Sequence, residues 1–113
     1  MDLQPSEIVV YERDLLFLAK ILGATGIKGL GVRLVKELPR LREVKYPKKV
    51  VLNLELETKE LFDVVHELKE KYPAAKFIGY CAHTDTKTLQ EAKEIGIDAM
   101  PRSVFVNKLN QLF

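Results

Sequence analysis

Runs of apolar residues and polar stretches of helical period alternate five times along the chain. Ile8–Tyr11 is the first apolar run, and Leu15 to about Leu22, apolar nearly all round, predicts a well-buried helix with Asp14 as its N-cap. The glycine-rich turn Gly23–Ala24–Thr25–Gly26 is expected to stop that helix. Gly31–Val35 reads as a second strand, followed by a short helix carrying Leu38, Pro39 and Leu41. Val50–Val51–Leu52 is a continuous β-branched run that ends in Asn53, the pattern of a strand buried on both faces. Leu61, Val64, Val65, Leu68 and Tyr72 form one stripe of a helix predicted to be capped by Thr58 and ended by Pro73. Lys76–Cys81 is a fourth strand. Asp85 is the expected cap of a helix with Leu89, Ala92 and Ile95 inward, stopping at Gly96. Ile97–Met100 is a short fifth strand, and a last helix places Phe105, Leu109 and Leu112 on its inner side, with Phe113 at its end. Strand–helix alternation of this kind predicts an α/β fold of (βα)5 type, a five-stranded parallel sheet with helices on both faces.

Composition narrows the class. A chain of 113 residues, 47% hydrophobic and 30% charged, is expected to form a single globular domain over residues 1–113. Its formal charge of +2 reads as too small and too evenly spread to call for nucleic acid or membrane as partner. No apolar run approaches the roughly 20 residues of a membrane span, and the acidic, polar start is not a signal peptide. One cysteine excludes an internal disulfide and a cysteine-built metal site, which suits a reducing, cytoplasmic setting. Abundant Lys and Glu with little Asn, Gln, Cys and Met hint at a heat-loving source.

Ligands of open parallel sheets gather at the carboxyl edge. Four predicted strand ends converge there: Glu12–Arg13, Asn53, Cys81–Ala82–His83 and Arg102–Ser103. Gly79–Asp85, GYCAHTD, and Glu94–Phe105, EIGIDAMPRSVF, together resemble the receiver domain of bacterial response regulators, and the element order is similar over nearly the full length. The resemblance implies a flavodoxin-like fold. It sets the family's magnesium-binding acidic pair on Glu12 and Arg13 and its phosphoacceptor aspartate on Asn53. The family's hydroxyl falls on Cys81, its lysine on Ser103 beside Arg102, and its aromatic switch on Met100.

A carboxamide is a poor nucleophile, and a lone Glu beside an Arg is a poor seat for a hard cation. The chain therefore resembles a pseudo-receiver, a stand-alone signalling or protein-interaction module without enzyme activity, cofactor or metal. Its protein partner is unidentified, and a homodimer through the last strand and helix, with Phe105 and Phe113 near their ends, is the expected assembly. With no DNA-binding segment after Phe113, output is expected to pass through that partner. Glu12 needs a counter-charge if buried, and Arg13 or Arg102 is expected to supply it. Cys81 reads either as a small buried hydrophobe or as a thiolate activated by Arg102 or His83. The competing reading is a small nucleotide- or ligand-binding Rossmann-like protein. It would use the Gly23–Gly31 turn, with Gly23, Gly26 and Gly29 as phosphate-loop glycines and Leu15–Leu22 as the strand before them.

Overall fold

The computed structural model describes residues 8–27 and 31–113. Five strands form one sheet: β1 (Ile8–Tyr11), β2 (Val32–Val35), β3 (Lys49–Asn53), β4 (Lys76–Cys81) and β5 (Asp98–Pro101). Their order is β2-β1-β3-β4-β5, and every pairing is parallel. β1 and β3 are central, and all of Ile8–Tyr11 and Val50–Asn53 is buried. That burial is why both read as unbroken apolar runs rather than as alternating ones.

Helices α1 (Leu15–Ile27), α5 (Arg102–Asn107) and α6 (Leu109–Leu112) cover one face, with Phe17, Leu18, Ile21, Phe105 and Leu109 packed on Val10, Val51, Ile78 and Tyr80. Helices α2 (Leu38–Arg42), α3 (Thr58–Lys71) and α4 (Thr86–Glu94) cover the other, over Val9, Val50, Leu52 and Phe77. Leu61, Val64, Val65 and Leu68 of α3 are all buried, each contributing about 1.5–3 kcal/mol. Asp14 and Asp85 cap as expected: Asp14 Oδ1 accepts from the backbone N–H of Leu16 and Phe17, and Asp85 Oδ1 from Thr88. Gly96 ends α4 with φ at +91°.

Several expectations are corrected. Helix α1 does not stop at Leu22; Gly23–Gly26 continue it to Ile27. Thr25 is buried within this stretch, and its hydroxyl is satisfied by donating back to the carbonyls of Ile21 and Leu22 at 3.1 and 3.2 Å. Gly23 and Gly26 are therefore helical, and the phosphate-loop reading loses its strand, because Leu15–Leu22 is helix; Gly29 lies outside the described residues. Nor is α1 well buried throughout, since Leu15 and Leu16 are 69% and 80% exposed. Thr58 is the first residue of α3 and donates its hydroxyl to the Leu54 carbonyl, while Glu57, in the left-handed region at φ 49°, takes the cap position. The last helix is two short ones that meet at Lys108. Phe105 and Phe113, read as the inner side and end of the last helix, are both buried in the core. Charge is not evenly spread either: residues 28–49 hold eight Lys or Arg against two Glu. Among the described residues no helix is long and apolar enough to cross a membrane.

Candidate functional site

Strand order reverses between β1 and β3, and at their carboxyl ends stand Glu12 and Asn53. Such a switch point opens a crevice, the usual ligand position in this architecture. Here the chain fills it. Glu12 follows Val10 onto the α1 side of the sheet and is 1% exposed. Its Oε2 accepts from the backbone N–H of Arg13 at 2.9 Å and of Asp14 at 3.2 Å, and from the Asn53 side-chain amide at 3.0 Å. Its Oε1 accepts from the Tyr80 hydroxyl at 2.7 Å, and Arg102 Nη1 lies 3.6 Å from the same oxygen. Burial pushes this carboxyl up, but the donors from Tyr80, Asn53 and the two backbones outweigh it and hold it below the usual carboxylate range. Tyr80 is pushed in the opposite sense, far above an ordinary phenol, by its own burial and then by its hydrogen bond to Glu12.

Asn53 works in two directions, its amide nitrogen toward Glu12 and its oxygen accepting from the Glu55 backbone at 3.0 Å. Arg102 follows Met100 onto the same face as Tyr80. Its guanidinium lies over the rings of Phe17 and Tyr80, 4.7 and 5.1 Å from their centres, within cation–π range. Arg102 Nη2 donates to Glu55 Oε2 at 3.0 Å, and Glu55 Oε1 accepts from the Ala82 backbone. One arginine thus ties the ends of β1, β3 and β4 to the start of α5.

Of the residues singled out in the sequence, Glu12, Asn53 and Arg102 are brought together. Arg13 is not: strand alternation persists past Tyr11 and sends its side chain to the other face. There it pairs with Glu57, which also accepts from the Tyr11 hydroxyl, and Arg13 donates to the Lys36 carbonyl at 2.8 Å. Glu57 is held below the usual carboxylate range, chiefly by Arg13, and Tyr11 is raised to about 12 by burial and then by Glu57. The same alternation turns Cys81 away from Glu12, and its buried thiol meets the Asp85 carbonyl at 3.9 Å. Burial, then Asp85 and Glu55, push that thiol to about 11, which fits a buried hydrophobe and not an activated thiolate. Ser103 is exposed on the outer side of Arg102. Met100 is buried beside Tyr80, its register partner on β4.

Sequence reading missed Tyr80, Phe17 and the role of Glu55. A tyrosine near the carboxyl end of a buried strand was the available signal, since a buried hydroxyl needs a partner.

Magnesium, which the receiver resemblance implies, does not fit this donor set. The Glu12 carboxylate has both oxygens occupied by protein donors, that of Glu55 is taken by Arg102 and the Ala82 backbone, Asn53 presents its amide nitrogen, and a guanidinium stands where a cation would approach. No cluster of three metal-ligating side chains exists among the described residues.

No protein-family model and no curated protein matches the chain. Solved structures do. A response regulator from Hahella chejuensis superimposes with a TM-score of 0.78 at 12% identity, over 95% of this chain and 91% of that one. A response regulator from Thermotoga maritima gives 0.76 at 17% identity, over 96% and 94%. The receiver domain of nitrogen regulatory protein C gives 0.70 at 14% identity, over 96% of each chain. The fold is the receiver-like, flavodoxin-like one, five parallel strands between two helical layers.

Proposed function

We propose that this chain is a receiver-like signalling module that has given up aspartyl-phosphate chemistry and acts by binding a protein. The receiver folds of the response regulators it resembles support the signalling part. The observation that carries the rest is the saturation of Glu12. Asn53, Tyr80 and Arg102 occupy its oxygens, so the internal cation Arg102 stands in for a metal and Asn53 stands where an acceptor carboxylate would be needed. A carboxamide does not attack an acyl phosphate under conditions where a carboxylate does. The pocket is held in one arrangement, and the module presents a constant surface to its partner rather than one switched by phosphate. It is non-enzymatic in this reading.

The test is incubation with acetyl phosphate and magnesium, followed by intact-mass spectrometry. The unmodified mass is expected; a phosphoryl adduct on any residue of this site would overturn the reading.

A further inference from the structure

Beside the Glu12 site, on the outer side of Arg102, a cleft of about 580 Å³ opens between α1, the loop after β4 and α5. We propose that it binds a small organic anion, an oxyacid head carried on a flat apolar body. The inference deepens the reading above by naming an input for a module that phosphate does not switch.

The walls argue for that chemistry. Phe17, Ala82 and Val106 form an apolar side, and Lys20, His83, Arg102, Ser103 and Asn107 supply the polar groups. Among the described residues no carboxylate lines the cleft, although the chain holds 16 Asp and Glu. Its volume is that of an ordinary small-molecule site, and an apolar wall with a few convergent polar groups is the usual composition of one.

Arg102 is the pivotal group. A guanidinium has five N–H donors in a fixed plane. One edge faces Glu12 and Glu55, and the rings of Phe17 and Tyr80 hold the plane in place. Donors remain for a ligand, and their direction is set before the ligand arrives, which lowers the ordering cost of binding. Lys20, one turn beyond Phe17 on α1, has no ion pair among the described residues and adds a second positive charge at the rim. Ser103 and Asn107, one helical turn apart on α5, bring a hydroxyl and a carboxamide to the facing wall.

Two head groups share this chemistry, carboxylate and phosphate monoester, and the experiment separates them. Benzoate, phenyl phosphate, inorganic phosphate and benzyl alcohol are titrated into the ¹⁵N-labelled protein in EDTA, with no magnesium or acyl phosphate. Saturable amide shifts at Lys20, Ala82, His83 and Ser103 are expected with benzoate or phenyl phosphate. The better of the two identifies the head. Benzyl alcohol and inorganic phosphate, lacking the charge and the apolar body respectively, should bind at least about tenfold more weakly.

Lys20→Glu and Ser103→Glu, both at exposed positions, should each weaken the better probe about tenfold or more while leaving the melting temperature unchanged. The proposal fails if neither aromatic anion saturates by about 10 mM, if benzyl alcohol binds as well, or if the two variants bind like the parent. Silence in this titration removes the ligand and leaves the acetyl phosphate result standing. A phosphoryl adduct in that other experiment removes the signalling reading and leaves this titration to be scored on its own.

Discussion

Arg102 Nη1 stands 3.6 Å from Glu12 Oε1, while Arg13, the arginine next to Glu12 in sequence, pairs with Glu57 on the other face of the sheet. The two arginines should therefore separate by mutation. Arg102 is only 33% exposed and stacked on two rings, and Arg102→Ala is expected to cost about 1–3 kcal/mol in urea unfolding. Arg13→Ala removes a surface pair and should cost less than about 1 kcal/mol. Equal losses from the two would contradict the assignment of Arg102 as the counter-charge.

The carboxyl of Glu12 also sets a pH dependence. Its folded pKa is depressed, so the unfolded chain takes up a proton more readily than the native one does. The stability it contributes is complete above its unfolded value, about 4.3, and is lost as pH falls through the lower folded value. Unfolding free energy should thus fall on acidification below about pH 4.3, and Glu12→Gln should flatten that slope. Glu57 adds to the parent slope, so a reduced slope, not its abolition, is the expected result. A variant as steep as the parent would rule out Glu12 as a contributor.

Gly79 matters for space and not for backbone freedom. A Cβ placed there would lie 2.8 Å from three side-chain carbons of Leu54, which is itself fully buried. Gly79→Ala is expected to cost about 1–3 kcal/mol by overpacking. In combination with Leu54→Ala the losses should be less than additive, because the smaller side chain vacates the contested space. Simple additivity would show that the two positions do not compete.

Cys81 is expected to behave as a buried hydrophobe. Its raised pKa and burial predict that a thiol reagent such as dithionitrobenzoate modifies the native protein far more slowly than the urea-unfolded chain at pH 8. Comparable rates in the two states would restore the reactive reading.

Much of this architecture was legible in the sequence, because period and burial speak directly. The apolar run ending in Asn53 and the stripe of α3 needed no tertiary information. The glycines of α1 misled, since local propensity favours a stop there, while the burial of Ala24 and Thr25 carries the helix on, with the Thr25 hydroxyl satisfied by the Ile21 carbonyl. The site was half legible. A Glu at the end of a buried strand announces the need for partners, but not which of two arginines answers. That choice follows from strand alternation persisting through Arg13, which local sequence does not reveal. Phe17 was hidden because an aromatic in a core pattern looks the same whether it fills space or holds a guanidinium, and only the hydroxyl of Tyr80 set it apart.

The claim at the centre is that the protein's own donors close the Glu12–Asn53 pocket. Titration of the ¹⁵N-labelled protein with magnesium and beryllofluoride, followed by NMR, tests it most directly. The amides of Glu12, Asn53, Glu55 and Ala82 should not move beyond the change produced by salt alone. Saturable, magnesium-dependent shifts centred on Asn53 would show an open, switchable pocket and would contradict the account.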